Sequence, residues 1–476
     1  MDNTVSSAFP HSRSIIPPYH VKVLDNHLDR TISAIHLEDD KTPQTPRNRG
    51  TTSIRLPEEI SVSKLLLQVF HKHREASPLE CALLRSATPA KSPKEDISWM
   101  WREIHGSDNW AGLLDPLHPW LRREIVKYGE LAQATYDAFD PHQPGSCCYS
   151  PEGLLDRLGL AENGYRVSGY VYAAMHVELP HFLGRPLHAD AWTAKESHWM
   201  GYVAVSDDAE TQRLGRRDIV IVWRGTAAPS EWFKDLQARP EPIERRSKAG
   251  SAEHVRVERG FQSVYRSRRE LATQKKNTDS SASEQVMAQV MALVNAHRMK
   301  GEEVSLTITG HSLGGALALL NAHEAASVMP DLPVSVFSFG GPRVGNAAFG
   351  DELRGLGARV LRVVAEQDLV PKVPGVVYAH VGTELRVDTR VSPYLKQGFH
   401  PAGVHGLETY MHLVDGYWCS GSEFRAEAKR DVLLVNKRGD MLKEELGVPA
   451  RWYRRPSLRV RQDWPLSPYQ ASPVAC

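Results

Sequence analysis

Gly310-His311-Ser312-Leu313-Gly314 is a G-x-S-x-G pentapeptide between two apolar runs, a β-branched one from Leu306 to Thr309 and an Ala- and Leu-rich one from Leu313 to Met329. A serine hydroxyl is a poor nucleophile until a base takes its proton, so the pattern does chemistry only where a turn presents the serine to partners. Strand, sharp turn and helix form the context in which this pentapeptide acts as a nucleophile elbow, and the flanking residues supply all three. Neighbours two positions from the serine must then lack bulk, a condition Gly310 and Gly314 meet. The reading sets Ser312 at a helix N-terminus, where amide groups and the helix dipole favour developing negative charge. A turn built for packing alone is the bland alternative. His311, beside the nucleophile, reads as a packed structural residue and not as the base.

Serine chemistry of this kind needs a carboxylate and a histidine, expected in the chain order Ser, acid, His. The acid belongs in a loop just past a sheet strand. Leu361 to Gly375, "LRVVAEQDLVPKVPG", offers Asp368 in a Pro-flanked loop, with Glu366 as its near competitor. Asp351 falls in an expected helix and Asp388 in a polar strand. For the base, "GVHGLETYMHLVDGYW" (Gly403 to Trp418) offers His405 and His412. His405, at the start of a helical run and exposed enough to face Ser312, is preferred, and His412 reads as a satisfied structural histidine.

A tetrahedral intermediate also needs two backbone donors. Leu313 N–H, next after the nucleophile, is one. The other is expected after an earlier buried strand, and "IVIVWRGT" (Ile219 to Thr226) makes Thr226 the candidate.

Elements able to hold these groups alternate along the chain. Strand-like runs occur at Tyr165 to Ala173, Trp199 to Ser206, Asp218 to Trp223, Val304 to Thr309, Val334 to Pro342 and Ala358 to Val364. Helical period appears at Leu121 to Tyr136, Glu284 to His297 and Leu313 to Met329, with Pro119 suited to open the first of these. Interleaving of this kind indicates an α/β fold with a largely parallel sheet, and strand runs apolar on both sides indicate burial of both faces. Three tryptophans, Trp99, Trp101 and Trp110, read as core anchors. The stretches Leu236 to Gly260 and Ser267 to Ser283 read as polar loops, and Asp431 to Lys437, "DVLLVNK", as a further strand.

Residues 1–95 are rich in Pro, Ser, Thr and basic residues and read as a tail that cannot bury enough surface to fold alone. Residues 96–430 are expected to form the catalytic domain. Residues 431–476 are expected to form an extension packed on it, with roughly its last 20 residues disordered. With 58 basic and 57 acidic residues, nothing favours a nucleic-acid partner. Five unpatterned cysteines argue against a disulfide-stapled secreted domain, and Cys147 and Cys148 lack a second pair at metal-ligand spacing, so no metal site is expected. No window approaches the apolar length of a transmembrane helix, so any lipid contact is peripheral.

The blocks "VWRGTAAPSEWFKDL", "GHSLGGALA", "FSFGGPRVGN", "VVAEQDLVPKVPG" and "HGLETYMHLVDGY" resemble, in order, those of the class 3, fungal-lipase-like hydrolases. "WREIHGSDNWAGLLDPLHPWLRREIVKYGELAQATYDAFD" and "RDVLLVNKRGDMLKEELGVPARW" narrow the resemblance to plant phospholipase A1 proteins of the plastid class I type. The resemblance implies an α/β-hydrolase fold and a Ser312–Asp368–His405 triad with Thr226 and Leu313 as oxyanion donors. It also implies that Asp235 supports the oxyanion threonine. The implied reaction is release of the sn-1 fatty acid from phosphatidylcholine or galactolipids, and in some relatives from triacylglycerol, without a cofactor. It also implies a chloroplast location, the tail by itself being equally compatible with a cytoplasmic protein.

The chain departs from the family pattern in two places. Relatives often read Val-His-x-Gly-Phe where this chain has Val257-Glu258-Arg259-Gly260-Phe261, and often carry Cys-x-x-Cys where it has Pro144 and Cys147. The lid region, Gln237 to Arg259, is charged, which argues against a long apolar lid. Two other functional classes fit less well: a non-catalytic lipase-like scaffold, disfavoured by the complete triad, and a soluble carboxylesterase for small esters.

Overall fold

A computed structural model describes residues 95–140, 146–174, 197–226, 240–243, 254–268, 280–375, 377–398 and 400–453. The expectations for residues 1–94, for 454–476 and for Asp235 lie outside the described residues, as does much of the lid region. The apolar runs form strands β1 (Tyr165–Ala174), β2 (Ser197–Ser206) and β3 (Arg217–Trp223). Two short strands, β4 (Pro240–Pro242) and β5 (Arg256–Glu258), pair with each other, so part of the expected Leu236 to Gly260 loop is ordered as an antiparallel ribbon. Next come β6 (Val304–His311), β7 (Val334–Phe339), β8 (Arg359–Ala365) and β9 (Thr383–Val387).

Among the described residues the main sheet has seven strands in the order β1-β2-β3-β6-β7-β8-β9. The first two pairings are antiparallel, and every pairing from β3 onward is parallel. Successive side chains of a strand face opposite ways, and both sides here are apolar. Val220 and Val222 join one core with Leu121, Ile125, Tyr410 and Met411. Ile219, Ile221 and Ile308 join a second with Val286, Val290 and Leu317.

Helices cover both faces. Those of eight residues or more among the described residues are α1 (Pro119–Asp137), α2 (Arg259–Arg266), α3 (Ala282–Arg298), α4 (Leu313–Val328), α5 (Ala347–Gly355) and α6 (Leu407–Gly416). Pro119 at the first helical position and the His118 side chain, which accepts from the amide of Trp120, open α1. Ser281 and Glu284 form a reciprocal capping box on α3, so the expected Ser267 to Ser283 loop ends in a helix start. Glu258, the departure from the family pattern, caps α2 by accepting from the amide of Phe261 at 2.7 Å.

The long α1 runs under the sheet and fixes its own register with Tyr128, whose hydroxyl donates to buried Asp218 of β3 at 2.8 Å. Its C-terminal half and α6 are joined by buried ion pairs. Arg430 reaches Glu130 on α1 and Glu408 on α6, each at 2.6 Å, and Lys437 reaches Asp137 at 2.6 Å.

Two expectations need correction. Asp431 to Lys437 holds a 3-10 helix, Val432–Asn436, and not a strand, because the Asp431 carboxylate accepts from the amide of Leu433 at 2.9 Å and turns the backbone locally. Trp101 and Trp110 are core residues, but Trp99 is 72% exposed and rests only its edge on Trp120. His405 is 4% exposed, enclosed between α6 and the helical turn Pro401–Val404.

Candidate active site

β6 ends at His311 and α4 begins at Leu313, so the whole reversal rests on Ser312. Its φ is 59° and its ψ −126°, a backbone conformation an L residue holds at a cost of about 1–3 kcal/mol. The glycines make the turn feasible. A Cβ on Gly310 would lie 2.3 Å from the Gly314 carbonyl oxygen, and one on Gly314 2.3 Å from that of Trp223. The Ser312 amide bonds the Phe339 carbonyl at 3.0 Å, locking the elbow to β7. Leu313 is the first helical residue, and the first amides of a helix have no carbonyl one turn back to bond.

Thr226 lies three residues past the end of β3. Gly225 before it packs against the elbow so closely that an added Cβ would stand 2.6 Å from the His311 carbonyl oxygen. The loop carrying Thr226 therefore runs beside Ser312.

Asp368 follows β8 through a turn closed by its own amide on the Ala365 carbonyl, 3.0 Å. Its two oxygens are occupied differently. Oδ1 accepts from the amide of Val370 at 2.9 Å, while Oδ2 meets His405 Nδ1 at 2.7 Å and the Tyr410 hydroxyl at 2.6 Å. The carboxylate accepts, so Nδ1 carries the hydrogen and Nε2 is the basic nitrogen of that ring. Burial holds the Tyr410 phenol far above its usual range, so it keeps its proton and donates it.

The competing groups are engaged elsewhere. Glu366 is on the surface, paired with Arg390 at 3.0 Å. Asp388 pairs with the same arginine at 2.7 Å, and Asp351, within α5, pairs with Arg354 at 3.1 Å. His412 is buried, 2.8 Å from the Ser392 hydroxyl and stacked on Phe424. His311 makes no contact with Asp368 among the described bonds. Its Nε2 donates to the His405 carbonyl at 2.7 Å, its Nδ1 lies 2.7 Å from the Tyr136 hydroxyl, and its ring leans on that of His405. Burial, with His405 adjacent, keeps His311 well below the usual histidine range and therefore neutral.

The structure thus brings Ser312, Leu313, Gly225–Thr226, Asp368 and His405 to the C-terminal edge of the parallel strands. Sequence reasoning did not single out Tyr136 and Tyr410. Tyr136 was visible only as one more residue on the apolar face of α1. Tyr410 lies five residues after His405, and nothing in that spacing indicates that its hydroxyl turns to Asp368.

A mostly parallel sheet between helical layers, with a serine at positive φ on a strand-to-helix elbow, defines an α/β hydrolase. Residues 220–378 match the Lipase (class 3) family. The chain is 40% identical over 431 residues to Phospholipase A1-Igamma1, chloroplastic, of Arabidopsis thaliana, covering 84% of this chain and 82% of that one. To Phospholipase A1-II 4 of Oryza sativa subsp. japonica it is 43% identical over 375 residues, 75% of this chain and 90% of the other. The chain belongs to the phospholipase A1 family of lipid-ester hydrolases. Among solved structures, the Lip2 lipase of Yarrowia lipolytica is similar over 58% of this chain and 81% of its own, at 21% identity and a TM-score of 0.41.

Proposed function

We propose that the protein releases the sn-1 fatty acid of phospholipids such as phosphatidylcholine, with galactolipids and triacylglycerol as further substrates, through Ser312, His405 and Asp368. The observation that carries this reading is the 2.7 Å bond from His405 Nδ1 to Asp368 Oδ2, on the same sheet edge as a serine held at positive φ.

His405 Nε2 takes the Ser312 proton as Oγ attacks the ester carbonyl carbon. The oxyanion accepts from the backbone amides of Leu313 and Thr226, with Asp235 supporting the threonine. Collapse expels the lysophospholipid alkoxide, which takes the proton from the imidazolium. A water, deprotonated by the same nitrogen, then cleaves the acyl-enzyme and frees the fatty acid. As the second tetrahedral adduct collapses, Nε2 hands the water's proton to the departing Ser312 Oγ. The enzyme is restored while the original serine proton leaves on the lysophospholipid, and the cycle calls for neither metal nor organic cofactor. Asp368 holds the imidazole in the required tautomer. Gly310, His311 and Gly314 shape the elbow.

No helix among the described residues is long and apolar enough to cross a membrane, which fits substrate capture at a lipid surface by peripheral contact. A chloroplast location is supported by the names of three Arabidopsis thaliana relatives, each called chloroplastic.

The test is mass spectrometry of products from phosphatidylcholine carrying different acyl chains at sn-1 and sn-2, with galactolipids and triacylglycerol in parallel. Free sn-1 acid with 2-acyl lysophosphatidylcholine is expected, and none from Ser312→Ala. Release of the sn-2 acid, or turnover by Ser312→Ala, overturns the assignment.

A further inference from the structure

Three backbone segments must hold a fixed spacing for the chemistry above: the oxyanion loop at Gly225–Thr226, the elbow at His311–Leu313, and the base loop at His405. They come from widely separated parts of the chain, and one pair of side chains touches all three. The Tyr136 hydroxyl lies 2.7 Å from His311 Nδ1, and His311 Nε2 lies 2.7 Å from the His405 carbonyl oxygen. Gly225 closes on the same phenol, since an added Cβ would stand 2.1 Å from its oxygen.

The directions of these bonds follow from the chemistry of the atoms. A carbonyl only accepts, so His311 Nε2 bears the hydrogen. In a neutral imidazole Nδ1 then offers a lone pair, and the Tyr136 hydroxyl must donate to it. The competing contact, from the Tyr136 hydroxyl to the His311 carbonyl, is 3.5 Å and too long to divert the proton. Burial keeps His311 neutral, so the directions do not reverse near neutral pH.

We propose that Tyr136 and His311 are positioning residues for the Ser312 reaction. A one-way hydrogen-bond chain runs from the Tyr136 hydroxyl, packed against Gly225, through the His311 ring to the His405 carbonyl, and sets oxyanion loop, elbow and base loop in register. The inference rests on the triad reading above. α1 is therefore part of the catalytic frame: the helix that anchors through Tyr128 at one end of the sheet delivers Tyr136 to the site at the other. Geometry is where such a chain acts, because a misplacement of about 1 Å in a reacting group costs on the order of 100-fold in rate.

The test uses the full chain with Tyr136→Phe, which keeps the ring and removes only the hydroxyl. Turnover of a soluble short-chain nitrophenyl ester and the rate of Ser312 labelling by a fluorophosphonate are measured beside thermal unfolding. Both rates are expected to fall together by about 10- to 100-fold, with KM changed less than about twofold. Installing 3-fluorotyrosine at 136, which restores a hydroxyl, is expected to recover at least about half of the lost rate on a logarithmic scale. Tyr136→Phe rates within about twofold of wild type, or a loss borne by KM alone, overturn the proposal. If Tyr136→Phe does not fold, His311→Gln and His311→Leu are compared. The glutamine keeps a donor for the His405 carbonyl and is expected to turn over at least about fivefold faster, and equal rates overturn the proposal. Ser312→Ala separates the two claims. Turnover by that variant sinks the triad reading itself, whereas an inactive Ser312→Ala beside a wild-type-like Tyr136→Phe sinks the chain alone.

Discussion

Asp368 Oδ2 lies 2.7 Å from His405 Nδ1, although 37 residues of chain separate them. The contact is buried on both sides, with Asp368 1% and His405 4% exposed. A charge-assisted bond so shielded from water is about twice as strong as a neutral one. It also decides which imidazole nitrogen is basic.

The same oxygen accepts from Tyr410 at 2.6 Å. Tyr410→Phe removes that bond and leaves the carboxylate held only by His405 and, through Oδ1, by the Val370 amide, a looser grip on its angle to the imidazole plane. A bond to a charged group contributes about 1.5–3 kcal/mol, so kcat is expected to drop by roughly tenfold or somewhat more. Steady-state kinetics on a soluble ester check this, and unchanged kcat would show that His405 and the Val370 amide suffice to orient Asp368.

His405 and His412 are both buried histidines of one segment, yet their partners differ. His405→Ala is expected to abolish measurable turnover. His412→Ala removes the contacts to Ser392 and Phe424 and should keep substantial turnover while lowering stability by about 1–3 kcal/mol. Parallel activity and denaturant-unfolding measurements decide the matter, and the opposite pattern would make His412 the base.

Arg430 is shared by two buried carboxylates, Glu130 and Glu408. Burial pushes the Glu130 carboxyl up to about 7 in spite of Arg430 beside it. A carboxyl raised by folding binds its proton more tightly in the folded state, so its contribution is full below pH about 4.5 and is lost as pH rises towards 7. Glu130→Gln lacks this titration. Its stability relative to wild type is expected to rise between pH 5 and 7, by at most about 1.4 kcal/mol per pH unit. Urea unfolding at several pH values measures it, and a difference that stays flat across that window would contradict the raised value.

Local signals in the chain made the frame of the site readable. Gly310 and Gly314 could be read because a strained elbow excludes side chains at those positions, a requirement that acts within five residues. The buried strands showed as unbroken apolar runs, and Pro119 marked the start of α1. What could not be read depends on contacts between distant segments. How closely His405 is enclosed could not be read, because the enclosure comes from the Pro401–Val404 turn and α6. The run from Asp431 to Lys437 has strand-like residues, but the Asp431 side chain wins the backbone locally and the resulting helical turn buries its apolar side chains against α6. Tyr136 and Tyr410 look like ordinary core aromatics, and only the folded arrangement aims one hydroxyl at His311 and the other at Asp368.

The central claim, that Ser312 is a nucleophile activated by His405 and held in register by Asp368, is tested most directly by intact-mass and peptide mapping of the fluorophosphonate-treated protein. A single adduct on Ser312 is expected, formed far more slowly in His405→Ala and Asp368→Asn and not at all in Ser312→Ala. An adduct on another residue, or labelling of His405→Ala at the wild-type rate, would contradict the account.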